Sequence, residues 1–100
     1  MASPARTVVL ESVAQQAVDS ACDKWEDAER VWRAIEWALA RDPAVGVPLT
    51  EQGNVRGLLY DGAQSIGQPD VEVIYEIQQD AIIVRSAIFR NPKASFAGKG

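Results

Sequence analysis

Residues 71–90 read VEVIYEIQQDAIIVRSAIFR, and this stretch decides the fold. From Val71 to Ile77 the residues alternate, with Val71, Val73, Tyr75 and Ile77 on one side and Glu72, Ile74 and Glu76 on the other. That is the period of a half-buried β-strand. Gln78-Gln79-Asp80-Ala81 is a turn, and Ile82–Phe89 is a second strand, apolar on both faces and so central in its sheet. Pairing Ile77 with Ile82 sets Tyr75 against Val84 and Val73 against Ser86, on one face that would pack on helices. The other face then carries Glu72, Ile74, Glu76, Ile83, Arg85, Ala87 and Phe89. A slip of one residue would scramble both faces, so this register is preferred.

Working back from the hairpin, Val55–Tyr60 is a further strand, closed by Asp61-Gly62, and residues 63–70 are loop-like. Ala44 to about Asn54 is a loop with Gly46, Pro48 and Gly53. Upstream of it, apolar residues recur at Ala14, Val18, Ala21, Trp25, Ala28, Trp32, Ile35 and Leu39, alternating steps of four and three, which is helical spacing. Ser12-Val13-Ala14-Gln15 has the form of a capping box that opens the helix, and Arg41-Asp42-Pro43 ends it. One helix of nearly 30 residues and a hairpin broken near Asp23 both fit the pattern. A second box, Asp23-Lys24-Trp25-Glu26, is available for the break, and compactness favours the hairpin because such a helix would span about 45 Å. Trp25 and Trp32 lie on the seam as core, whereas Trp37 lies off it and is partly exposed. Thr7–Leu10 is a short β-prone run. The order is therefore β-α-α-β-β-β: an α+β domain of residues 1–90, with a helical hairpin on one face of a small, mostly antiparallel sheet. Residues 91–100 read as a flexible tail that Phe96 partly pins.

The 100 residues, 47% hydrophobic and 24% charged, are the balance of one soluble globular domain. No apolar run reaches the length of a membrane span and no secretory leader is visible, so a cytoplasmic location without membrane contact is expected. The single cysteine, Cys22, allows no internal disulfide, and Asp23 beside it argues against a reactive thiol. The absence of histidine removes His-based triads and the usual zinc sites. Glu26, Asp27, Glu29 and Glu36 follow a solvated helix face rather than a metal cage, and the glycines of residues 53–62 lack any phosphate-loop pattern. No metal or cofactor is expected. Net charge is −4, but it is unevenly spread: residues 1–80 hold fourteen acids and six bases, and residues 81–100 hold Arg85, Arg90, Lys93 and Lys99 with no acid. A basic end on an acidic body reads either as a solvated tail with helix-face charges elsewhere or as a local patch for an anion or an acidic partner, and it argues against a nucleic-acid coat.

Ala34–Leu39 followed by Asp42-Pro43 and Gly46, then Arg56-Gly57-Leu58, then Val73–Ile77 with Ile82–Val84, stand in an order and spacing that resembles the RelE/ParE superfamily of bacterial toxins. The likeness covers roughly residues 7–90. It implies a toxin of a type II toxin–antitoxin pair, held by an antitoxin protein. RelE-like members cut messenger RNA on the ribosome, and ParE-like members inhibit DNA gyrase. In the ribonucleases, arginines and lysines stabilise the charge that develops as a 2′-hydroxyl attacks its neighbouring phosphate. Carried over, that role falls to Arg90 and Arg85 as catalytic residues, with Arg56 and Lys93 assisting. The chain departs from the pattern at Glu72, which stands where the ribonucleases commonly have arginine, and in its acidity. Both argue against RNA cleavage. The competing expectation is a non-enzymatic protein-interaction module that keeps the toxin fold. Its open sheet face would be covered by an antitoxin segment, the tail or a second copy in a homodimer. Convergence of Arg56, Arg85, Arg90 and Lys93 on one concave surface would mark a phosphate site, and pairing of the arginines with Glu72 and Glu76 would mark the module.

Overall fold

The computed structural model describes residues 6–63 and 67–92. Strand β1 (Thr7–Leu10) leads into helices α1 (Ser12–Lys24) and α2 (Ala28–Arg41), then a short 3-10 turn at Pro43–Val45. Strands β2 (Val47–Pro48), β3 (Val55–Tyr60), β4 (Asp70–Ile77) and β5 (Ala81–Arg90) follow. The sheet runs β1-β5-β4-β3-β2. β1 lies parallel to β5, and the other neighbours are antiparallel. The parallel pair is possible because the two helices carry the chain across one face of the sheet. The molecule is thus α+β, with one more strand than the sequence order predicts. The two-residue β2, which contains Pro48, is too short to announce itself.

The helical segment is the hairpin that compactness favours, and its break near Asp23 falls at Trp25–Asp27, with Asp23 itself inside α1. Neither predicted capping box forms. Glu11, in extended conformation, holds the cap position of α1 without a side-chain hydrogen bond, and Gln15 donates to Asp19 instead (3.0 Å). What stops α1 is tertiary. Trp25 takes an extended backbone, and its indole stacks on Phe89 (6.3 Å between centroids) while its N–H donates to Asn91 Oδ1 (3.1 Å). The start of α2 is fastened by the loop before β4: Asp27 N–H donates to Gly67 O (3.1 Å), and Gln68 donates to the Asp27 carboxylate (2.8 Å). Trp25 is accordingly half-buried rather than core, Trp32 is buried, and Trp37 is 62% exposed beneath the Arg41 guanidinium. On the outer face of α2, Glu29 pairs with Arg33 one turn on (2.8 Å).

The hairpin register is as read from Ile77↔Ile82 to Tyr75↔Val84, and then shifts. Ile74 faces Ser86 and Val73 faces Ala87, so Arg85 is an extra residue, a β-bulge, and not the partner of Ile74. The bulge inverts the alternation of the second half of β5. Ala87 and Phe89, placed by the sequence on the open face, turn to the covered one. There Ala87 is buried and Phe89 packs against Trp25 and Trp32. Ile88 and Arg90 take the open face instead. Alternation alone cannot show this, because β5 is apolar at nearly every position and either phase buries hydrophobic groups.

The core lies between the helices and the covered face. Val18, Val31, Trp32, Ile35 and Leu39 meet Val71, Val73, Tyr75, Ile82 and Val84. Burial of each large side chain contributes about 1.5–3 kcal/mol before entropic costs. Tyr75 is fully buried, and its hydroxyl is satisfied at both ends, donating to Pro43 O (2.6 Å) and accepting from Gly46 N–H (3.0 Å). Glycine is required at position 46: a Cβ there would lie 2.8 Å from that hydroxyl and 2.7 Å from Gly57 O. Lys93, Phe96 and the rest of the expected tail from residue 93 lie outside the described residues.

Candidate functional site

Of the predicted cations within the described residues, Arg56 stands apart from Arg85 and Arg90. Arg56 projects from β3 on the covered side, in register with Tyr75. Its guanidinium donates to three backbone carbonyls: Gly46 O (2.7 Å), Gly53 O (2.9 Å) and Ala44 O (3.2 Å). Three of its five donors are thus taken by its own chain, so Arg56 ties the loops before and after β2 to the sheet.

Arg85 and Arg90 share the open face, which the bulge makes possible. Each meets carboxylates there. Arg85 reaches Glu11, at the end of β1, with one terminal nitrogen and Glu76, on β4, with the other. Hydrogen bonding to Glu76, then to Glu11, pushes its pKa still higher. Arg90 donates to Glu72 (3.2 Å). All these side chains remain partly exposed to water, so the pairs add little to stability. Their effect is electrostatic: they cancel the positive potential an incoming phosphate would need.

The rest of the open face is apolar to a degree unusual for a surface. Val47, Leu49, Leu59 and Val45 are 67%, 55%, 74% and 43% exposed. They make up four of the eight large hydrophobic side chains that stand exposed among the described residues. They cluster with Gly57 and Ile74 around a groove of about 440 Å³ beside β2 and β3, with Glu72 on its rim. A second depression adjoins it at Leu59 and Glu72, lined also by Asp61, Asp70 and Arg90. Sequence reasoning missed this groove. Val47 and Leu49 stand in what reads as a loop, and Leu59 in what reads as an ordinary strand. The available signal was two exposed-prone aliphatic residues flanking Pro48.

Cys22 is exposed on α1, and its thiol is pushed up by partial desolvation and then by Glu29, Asp19 and Asp23, which works against the thiolate a nucleophile needs. Burial likewise raises Tyr75, against the opposing hydrogen bond from Gly46. Among the described residues no three acidic or cysteine side chains come together as metal ligands, and no helix is long and apolar enough to cross a membrane. No protein-family model matches the sequence, and no curated protein is significantly similar to it.

Proposed function

We propose that the chain is a cytoplasmic, non-enzymatic protein-interaction module of RelE/ParE-like fold that binds a protein partner through the open face of its sheet. The observation that carries this reading is the closure of both open-face arginines onto carboxylates: Arg85 onto Glu11 and Glu76, and Arg90 onto Glu72. Cleavage of RNA by cations alone needs those cations free and preorganised where charge develops. Here a phosphate would have to displace three carboxylates that repel it. The same face exposes aliphatic side chains that water covers poorly, which suits a protein surface as partner.

The test is induced expression in a bacterial host, with wild type beside an Arg85→Ala/Arg90→Ala double variant, and purified protein incubated with messenger RNA on ribosomes. Normal growth with either chain and intact RNA are expected. Arrest by wild type that the double variant relieves would overturn the proposal in favour of a ribonuclease. The resemblance of the sequence motifs to the toxins supports a second reading, a ParE-like toxin that acts by protein contact on a target such as DNA gyrase and is held by an antitoxin. Arrest by both chains, with RNA intact, would select it.

A further inference from the structure

The groove beside β3 is bordered by backbone as well as by side chains. Ile77 N–H donates to Asn54 O (2.6 Å), which fixes the phase of the β3–β4 ladder. Positions 56, 58 and 60 bond toward β4, and 55, 57 and 59 point the other way. Val55 O is taken by Leu49 N–H (2.8 Å), and Gly57 pairs with Val47. Leu59 comes next in this series. The residue that would continue the pairing is Val45, but it belongs to the 3-10 turn, where its N–H donates to Asp42 O (3.0 Å). Among the described residues no strand therefore lies beside the N–H and C=O of Leu59, which open onto the groove. The apolar wall of Val45, Val47, Leu49 and Ile74 lies at one end. At the other end stand Asp61, Asp70 and Glu72, with Arg90 as the one cation among the described residues that line it. Glu72 is paired with Arg90, and Asp70 accepts Gly62 N–H (2.7 Å), while Asp61 is exposed at the rim.

We infer that this groove receives an extended segment of a partner protein, added as a short antiparallel strand beside Leu59, with an aliphatic side chain in the groove and a basic residue two positions before it. The proposal rests on the interaction-module reading and names its partner's chemistry. Three features choose this occupant. The free edge offers a donor and an acceptor in strand geometry, which an extended chain completes and a helix does not. A residue opposite Leu59 places its side chain on the same face as Leu59, over the aliphatic wall. The residue two positions earlier lies on that face opposite Asp61, where the surplus of carboxylates favours a cation.

The probe is a fluorescein-labelled synthetic peptide with arginine two positions before valine and threonines between and after. A twin carries glutamate in place of arginine. Fluorescence anisotropy should show the arginine peptide binding at least about fivefold more tightly than its twin, the worth of one charge pair at a rim. Asp61→Asn should shrink that preference. Leu59→Pro removes the outward N–H while leaving the β3–β4 ladder intact, and should weaken binding about tenfold or more; Leu59→Val should not. Hydrogen exchange on the wild-type protein gives a readout independent of any variant, since the Leu59 amide should become protected when the peptide is added. Equal binding of both peptides, no binding of either, or a Leu59 amide left unprotected would each overturn the proposal. So would a concentration-dependent dimer that Leu59→Pro dissolves, because a second copy would then hold the groove. Failure here with normal bacterial growth leaves the module reading standing and removes only this partner. Growth arrest relieved by the arginine variants removes the module reading itself.

Discussion

The two faces of the sheet use arginine in opposite ways. On the covered side Arg56 spends its donors on Ala44, Gly46 and Gly53 carbonyls, and the same loop is gripped by the Tyr75 hydroxyl. On the open side Arg85 spends its donors on Glu11 and Glu76. Backbone carbonyls cannot be neutralised or released, so the first arrangement is architecture. Carboxylates and a guanidinium in water exchange partners at low cost, so the second sets the charge of a surface. A cation counted from the sequence is therefore no measure of a phosphate site until its partners are known.

The sharpest way to break this comparison is to cut apolar groups from both faces. Leu39→Ala, in the core, should lower stability by about 2–5 kcal/mol in urea unfolding. Leu59→Ala, on the open face, should change it by no more than about 0.5 kcal/mol. A large loss at Leu59 would mean that the open face is already covered within the chain.

Next in size is Tyr75→Phe, which strands the Gly46 N–H and the Pro43 carbonyl and should cost about 1–3 kcal/mol. It also carries a pH signature. Burial raises the folded-state pKa of Tyr75 above the unfolded value of about 10, so the folded chain holds this proton more tightly. The stabilisation is complete below about pH 10 and is lost as pH climbs through the raised folded value. Wild type should therefore lose stability in that alkaline window, and Tyr75→Phe should flatten the curve there. The smallest contrast is between arginines. Arg56→Met should lower stability by about 1–2 kcal/mol, while Arg85→Met should leave the urea midpoint unmoved. The reverse order would invert the assignment of the two faces.

Much of the architecture was legible in the chain. The period-two run of β4 and the four-three spacing from Ala14 to Leu39 each name an element, because burial on one face writes its period into the sequence. Asp42-Pro43 marks the end of α2 for a local steric reason. Three features escaped. The break after Lys24 depends on Trp25 finding Phe89 and Asn91, partners more than 60 residues away. The two residues of β2 are too few for any period. The bulge at Arg85 hides in a strand that is apolar in both phases. The candidate site inherits these gaps. Arg85 and Arg90 were visible as cations, but their shared face depends on the bulge, and the groove depends on where β2 stops.

That bulge has a bearing on how the chain tolerates changes in length. Elsewhere in a central strand, loss of one residue would rotate every side chain beyond it to the wrong face. Arg85 is surplus to the pairing, since Val84 already faces Tyr75 and Ser86 already faces Ile74. Deleting it would restore an unbroken ladder and keep Ala87 and Phe89 against the helices. The strand thus carries one spare residue in its middle, and a reading of this chain against any shorter relative should allow its gap there, inside the sheet, rather than in the loops.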